Sequence, residues 1–194
     1  VGNSILGTTG GHMKATEISQ IVPNSNLKSG YVMLLPIENL ALQFQTNMSG
    51  TLNIDWLKFL IKDIFNDFDL NLNDNEFIKK IDQWLKKAEP GKLIYHPYIS
   101  EAGERGPFIN SNAQASLLGL NSNHRFPEIV RCFIEGLCFA ARECYNAIGD
   151  MPNEIRIVGG GFQSESIRKI FSSVLKVSVR PVSYTHLRAH ETPE

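Results

Sequence analysis

The stretch Ser4-Ile5-Leu6-Gly7-Thr8-Thr9-Gly10-Gly11 combines a short apolar strand with a pair of threonines that is flanked by glycines. Glycine lets the backbone turn sharply after the strand, because it lacks a Cβ atom. The amides of such a turn, together with two hydroxyl groups, can surround a phosphate. A plain β-turn fits the same residues, so this stretch by itself leaves a phosphate-binding turn and a ligand-free turn as alternatives.

A second glycine-rich turn lies far along the chain. The apolar run Ile155–Val158 predicts a strand, Gly159-Gly160-Gly161 predicts a tight turn, and the apolar spacing from Ser164 to Leu175 predicts an amphipathic helix. Glycines ahead of a helix N-terminus let the backbone lie close to an anionic ligand. The spacing superficially resembles the dinucleotide-binding fingerprint. A Rossmann fold is nevertheless disfavoured, because no acidic residue occurs about 20 positions later, around Val179.

Three helices are predicted between these turns. The first follows a cap at Thr51 or Asn53, and the second follows a capping box formed by Asn73 and Glu76. The third, over residues 127–148, is apolar on most sides and is expected to be largely buried. The residues expected on the buried faces of the first two helices are Leu57, Leu60, Ile61, Ile64, Phe65 and Phe68 in the first, and Phe77, Ile78, Ile81, Trp84 and Leu85 in the second.

The loop Gly103-Glu104-Arg105-Gly106-Pro107 places opposite charges side by side between residues that favour turns. An ion pair between Glu104 and Arg105 that locks the loop is the favoured interpretation. A contact with a substrate or a hinge is the alternative.

Composition excludes several classes of protein. A chain of 194 residues with 42% hydrophobic and 20% charged residues suits a globular domain with a real core. A net charge of -1 offers no basic excess for nucleic acid, and no apolar run approaches the roughly 20 residues of a membrane helix. Cys132, Cys138 and Cys144 point in different directions on one predicted helix and are expected to be buried, reduced thiols of a cytoplasmic protein. No metal site is predicted.

Five blocks of the sequence, in this order, resemble the motifs of the FGGY carbohydrate kinase family. The matching residues are Ile5–Gly10 (a G-T-[ST] phosphate hairpin), Gly50 with Asp55–Leu57, Tyr98–Leu120 (containing G-E-R-x-P), Glu135–Arg142 (E-G-x-x-F-x-x-R) and Ile157–Ser164 (G-G-[AG]-x-x-S).

The resemblance implies an α/β fold, namely an incomplete C-terminal domain of the actin-like ATPase (ribonuclease H-like) fold with a mixed sheet and packed helices. It also implies a carbohydrate kinase that transfers the γ-phosphoryl group of ATP to a hydroxyl of a pentulose or polyol. The Glu104-Arg105 pair is similar to that of pentulose and polyol kinases, and Gly149-x-Met151-Pro152 with Cys144-Tyr145 is similar to the erythritol- and xylulose-kinase-like branch. A glycerol-kinase-type substrate and a non-catalytic actin-like module that binds a nucleotide or a partner are the alternatives.

The same resemblance implies a set of nucleotide-binding residues. Thr8, Thr9 and the turn amides would hold the β- and γ-phosphates, and Gly50 would allow close approach there. Ser164 would offer a hydroxyl near the ribose or base, and Mg²⁺ would bridge phosphate oxygens mostly through water. The implied partners are a small sugar or polyol and ATP, with neither nucleic acid nor membrane, and a homodimer stays open. The complete set is Gly7, Thr8, Thr9, Gly50, Gly159, Gly160, Gly161 and Ser164.

Family members have two domains, and this sequence departs from that pattern. The sugar-binding domain and the catalytic aspartate are expected upstream of Val1, so no catalytic residue is expected in this chain, and the isolated chain is expected to lack kinase activity. Residues 183–194 have no periodicity and are expected to be a non-native tail, which excludes His186 and His190 as metal ligands. Residues 1–182 would then form a partial C-terminal nucleotide-binding domain.

Overall fold

A six-stranded sheet with the strand order β3-β4-β2-β1-β7-β8 organises the protein. The computed structural model describes residues 1–22, 29–70 and 73–182. Neighbouring strands from β3 to β1 are antiparallel, whereas β1, β7 and β8 run parallel to one another. The strands of this sheet are β1 (Gly2–Leu6), β2 (Gly10–Glu17), β3 (Tyr31–Leu34), β4 (Leu40–Asn47), β7 (Glu154–Val158) and β8 (Ser178–Pro181), and a separate hairpin-like pair consists of β5 (Ile94–His96) and β6 (Ser116–Leu118).

Four α-helices accompany the strands in the described part of the chain, and their ends follow local rules. Asn73 and Glu76 form the predicted capping box, and Ser164 accepts the backbone N–H of Ile167 at the start of the last helix. Gly149, with a φ of 102°, follows the longest helix and lets the chain turn toward β7. The helices are α1 (Leu52–Asp67), α2 (Asp74–Lys87), α3 (Phe126–Ala147) and α4 (Glu165–Leu175).

The main core lies where α3 and α4 pack against the sheet. Ile134 of α3, Ile157 of β7 and Phe171 of α4 belong to one buried cluster. Burial of each such side chain contributes about 1.5–3 kcal/mol to folding. The cysteines are free and buried in or beside this core, as predicted. None of the described helices is long and apolar enough to cross a membrane.

The predicted buried face of α1 is wrong in part. Leu57 is buried, but Leu60, Ile64 and Phe68 are exposed, because the helix is rotated so that the row Ile54, Leu57 and Ile61 faces the protein. That row also has helical spacing, so periodicity alone could not choose between the two.

Ile78 of α2 is exposed as well, although Phe77, Ile81 and Leu85 are buried as predicted. Ile78 is exposed because it lines an open cleft between α1, α2 and the Gly159–Gly161 turn. The predicted tail, residues 183–194, lies outside the described residues.

Candidate functional site

The two glycine-rich turns meet at one edge of the sheet. β1 and β7 are parallel neighbours, so their carboxyl ends lie side by side, and in open α/β sheets ligands bind beyond such ends. Leu6 is the last residue of β1 and Val158 the last of β7. A Cβ atom on Gly159 would lie 2.4 Å from the carbonyl oxygen of Leu6, so the two turns are in direct backbone contact.

The first turn, Gly7–Thr9, is fixed by backbone hydrogen bonds. The N–H of Gly7 donates to the carbonyl oxygen of Thr9 at 3.1 Å. The N–H of Gly50 donates to Thr8 and the N–H of Thr51 donates to Gly7, both at 2.7 Å. Thr8 and Thr9 are exposed, so their hydroxyls are available on the outer side of a turn whose inner side is held.

The three glycines of the second turn have different roles. Gly159 has a φ of 108°, which a residue with a side chain adopts only with strain. A Cβ atom on Gly161 would lie 2.5 Å from the Leu6 side chain, whereas one on Gly160 would meet no atom within 4 Å. Gly160 is therefore the glycine of this turn beside which a ligand has room.

A cleft of about 250 Å³ opens between this turn, the start of α1 and the start of α2. Its apolar wall includes Ile54, Phe77 and Ile78, and Asp55 and Lys58 add charge from α1. A flat ring with a polar edge fits such a mixture of apolar and polar groups. Other residues that line it are Thr51, Ile81, Gly160, Gly161, Gln163, Ser164 and Ile167.

Ser164 joins α4 to α2 at the rim of this cleft. Its hydroxyl donates to Asp82 Oδ1 at 2.7 Å and accepts the N–H of Ile167 at 3.1 Å. Burial acts to raise the pKa of Asp82, but the hydrogen bonds from Ser164 and Ser166 outweigh it and hold that pKa below its ordinary value. The Asp82 carboxylate therefore stays charged and keeps the two helices together.

The structure thus brings seven of the eight predicted residues to one edge of the sheet, with Ser164 a few residues beyond them. Sequence reasoning missed the residues that build the cleft, among them Asp55, Lys58, Ile78 and Gln163. Ile78 carried no signal of this kind, because its spacing placed it on the predicted buried face together with Phe77.

The predicted ion pair between Glu104 and Arg105 is wrong. Glu104 is 1% exposed, and its Oε1 accepts backbone N–H groups from Met48, Arg105 and Gly106. Three amide dipoles satisfy the carboxylate, while the Arg105 side chain points to solvent. The loop is locked, as expected, but by the backbone.

A buried chain of polar side chains lies behind the Gly7–Thr9 turn. His12 Nε2 is 3.1 Å from Asn47 Oδ1, and its Nδ1 is 3.0 Å from the Ser4 hydroxyl. Burial lowers the pKa of His12 to about 4, so the ring is neutral at pH 7. Because the Asn47 amide nitrogen donates to the carbonyl of Gly106, its oxygen is the acceptor, and Nε2 of His12 carries the proton.

Within residues 1–22, 29–70 and 73–182, no group of three or more His, Cys, Asp or Glu side chains is arranged to hold a metal ion.

Comparison with known proteins gives a consistent result. The model of the C-terminal domain of the FGGY family of carbohydrate kinases matches residues 2–190. Erythritol kinase of Brucella abortus (strain 2308) is 45% identical over 179 residues, which are 92% of this chain and 34% of that protein. The chain thus spans about a third of the length of this relative.

Two solved structures show the same fold. Ligand-bound xylulose kinase from Lactobacillus acidophilus has a TM-score of 0.74 at 23% identity, over 93% of this chain and 34% of that chain. Plasmodium falciparum glycerol kinase with ADP has a TM-score of 0.71 at 17% identity, over 96% and 36%. The predicted fold class, an α/β domain of the actin-like ATPase fold, is confirmed.

Proposed function

The chain belongs to the FGGY family of carbohydrate kinases, and we propose that it is the nucleotide-binding domain of an ATP-dependent kinase that phosphorylates a hydroxyl of a polyol or pentulose. The observation that carries this proposal is the meeting of the Gly7–Thr9 turn and the Gly159–Gly161 turn beside one cleft. An extended ligand with an anionic end and a flat end matches that layout.

Each part of the site has a role in this proposal. The turn amides and the hydroxyls of Thr8 and Thr9 bind the β- and γ-phosphates. Gly50 supports the turn from beneath, since its Cβ position is filled by the backbone of Gly7 and Thr9. The open side of Gly160 faces the α-phosphate and ribose, and the cleft receives the base. Ser164 keeps one acceptor lone pair for a ribose hydroxyl after its two bonds within the protein.

The reaction consists of one phosphoryl transfer. The acceptor hydroxyl oxygen forms a bond to the γ-phosphorus, the bond from that phosphorus to the bridging oxygen of ADP breaks, and the hydroxyl proton passes to a base. We place this base, an aspartate, outside these 194 residues. Mg²⁺, held mostly through water, would bridge phosphate oxygens of ATP and spread their charge.

The proposed acceptor class follows from the likeness to an erythritol kinase, which covers most of the chain. At 45% identity to an erythritol kinase, a four-carbon polyol is the first acceptor to test. Pentuloses and glycerol are the alternatives. The buried, unpaired thiols further support a protein that works in the reducing cytoplasm.

We propose that residues 1–182 form a partial C-terminal nucleotide-binding domain and that residues 183–194 are a non-native tail. Because the family model extends to residue 190, the binding of MgATP by residues 1–182 should be compared with binding by all 194 residues. A domain of residues 1–182 should bind MgATP as tightly as the complete chain. Tighter binding by the complete chain would give residues 183–194 a part in the site.

The experiment that tests the proposed function is a domain replacement. The C-terminal third of an erythritol kinase is exchanged for this chain, and phosphate transfer from ATP to erythritol, xylulose and glycerol is measured. We expect transfer to erythritol, which Thr8→Val should reduce. A well-folded chimera that neither binds ATP nor phosphorylates any acceptor would instead favour a non-catalytic actin-like module.

A further inference from the structure

Glu104 is a buried carboxylate that connects two separate segments. Its Oε1 accepts the N–H of Met48 at 2.8 Å, that of Arg105 at 2.8 Å and that of Gly106 at 3.2 Å. Met48 follows strand β4, whereas the other two donors belong to the loop of Glu104 itself. The carboxylate therefore reaches across from its own loop to the end of a central strand.

Closure of the loop does not require this side chain. The backbone N–H and carbonyl of Glu104 pair with those of Asn110, each at 2.9 Å, and this pair closes the loop. Burial raises the pKa of Glu104, so a charged carboxylate here is costly. The bond to Met48 is what the carboxylate adds beyond its own loop.

A second contact joins the same two segments. The Asn47 side-chain amide donates to the carbonyl oxygen of Gly106 at 3.0 Å, and its oxygen accepts from His12. Asn47 and Met48 are thus both held by the loop that contains Glu104. Adjacent residues held in this way leave little freedom to the chain that follows.

The chain that follows supports the Gly7–Thr9 turn. Gly50 lies two residues after Met48 and donates to the Thr8 carbonyl at 2.7 Å, and Thr51 donates to that of Gly7 at the same distance. Residues 47–51 are therefore attached to the Glu104 loop at one end and to the turn at the other. A displacement of Met48 would be transmitted to Gly50 over two residues.

We propose that Glu104 is a positioning residue, which holds Met48 so that Gly50 and Thr51 set the Gly7–Thr9 turn for the terminal phosphates of ATP. This inference rests on the proposed function, because it assigns those phosphates to the turn. Glu104 acts through the backbone of residues 47–51 and does not touch the nucleotide. Its effect should be confined to ligands that reach the turn.

The test compares two nucleotides in titrations of the complete 194-residue chain. MgATP reaches the turn, whereas AMP occupies the cleft and the second turn only. Glu104→Met removes the acceptor oxygen but keeps a side chain of similar size, so it should weaken MgATP binding about tenfold and change AMP binding less than about twofold. The matched control is Glu135→Met, since Glu135 is also buried and also accepts a backbone N–H, from Gly91, beside its bond to Arg131.

Each outcome has a defined meaning. Parallel weakening of binding of both nucleotides, or an equal selective loss in Glu135→Met, would overturn the positioning role. If Glu104→Met does not fold, Asn47→Ser removes the second contact with the loop, together with the bond to His12, and should show the same selective loss. If the wild-type chain binds MgATP no more tightly than AMP, the assignment of the phosphates to the turn is wrong. If it binds neither nucleotide, the proposed function is wrong.

Discussion

The backbone N–H of Gly50 donates a 2.7 Å hydrogen bond to the carbonyl oxygen of Thr8. The two residues are 42 positions apart in the sequence, yet the bond fixes the tip of the Gly7–Thr9 turn. A Cβ atom on Gly50 would lie 2.4 Å from the Gly7 carbonyl oxygen and 2.8 Å from the Thr9 carbonyl carbon. The approach of the two backbones therefore leaves no room for any side chain at this position.

Gly50→Ala should lower the free energy of unfolding by about 1–3 kcal/mol, because the new methyl group must displace backbone atoms. It should also weaken MgATP binding, since the displaced atoms belong to the turn. Urea denaturation and isothermal titration of the same preparations measure both effects. An unchanged denaturation midpoint would contradict the observed packing.

Gly160→Ala should affect ligand binding without affecting the stability of the fold. Its Cβ atom would meet no protein atom within 4 Å, and Gly160 is absent from the residues with positive φ, so stability should change by less than about 0.5 kcal/mol. MgATP binding should weaken about tenfold, because one methyl group then occupies space beside the ligand. Normal stability with unchanged ATP affinity would remove the nucleotide from this side of the cleft.

Thr8 tests the phosphate contact through its hydroxyl. The residue is exposed, and within the described residues its hydroxyl makes no hydrogen bond to the protein, so Thr8→Val should fold normally. MgATP binding should weaken about tenfold in this variant, as a charge-assisted hydrogen bond is lost. Thr8→Ser retains the hydroxyl and should bind ATP within about threefold of the wild type. Equal affinities of the two variants would exclude a hydroxyl contact.

Sequence analysis located the two turns of the candidate site better than the surface around them. Turns such as Gly7–Thr9 and Gly159–Gly161 are local, so glycine content and strand position were enough to locate them. Their contact through Leu6 was not accessible, because it depends on β1 and β7 pairing across more than a hundred intervening residues. Only the family resemblance indicated that the two turns form one site.

The errors have a common physical origin. For α1, the rows beginning at Ile54 and at Leu57 both have helical spacing, and tertiary packing selected the first. For Glu104, the neighbouring Arg105 suggested an ion pair, but burial favoured backbone N–H donors that need no desolvated cation. In both cases burial by segments distant in the sequence decided the outcome, and Met48 is the distant donor to Glu104.

Ser164→Ala should lower the free energy of unfolding by about 1–2 kcal/mol. The change removes the helix cap to Ile167 and the bond that holds Asp82. Asp82→Asn is the matched variant, since it retains the cap but removes the charge. Guanidinium denaturation of both variants at pH 7 shows whether the cap or the link to α2 contributes more to stability. If both variants have the free energy of unfolding of the wild type, this pair has no structural role.

His12 should make stability depend on pH. Its pKa is lowered to about 4 in the folded protein by burial, against about 6.5 in the unfolded chain. Protons therefore bind the unfolded chain preferentially between these values. The stability that depends on neutral His12 is complete above pH 6.5 and is lost as the pH falls toward 4, to a total of about 3 kcal/mol.

Denaturation of the wild type and of His12→Gln at pH 7, 6 and 5 measures this loss. The variant starts from a lower stability, since it disturbs the bonds to Ser4 and Asn47. The decrease from pH 7 to pH 5 should nevertheless be smaller in the variant by about 2 kcal/mol, because only His12 differs between the two chains. The raised pKa of Glu104 acts in the opposite direction in both proteins and cancels in the difference. Parallel curves would show that His12 titrates normally and that its ring is not enclosed behind the turn.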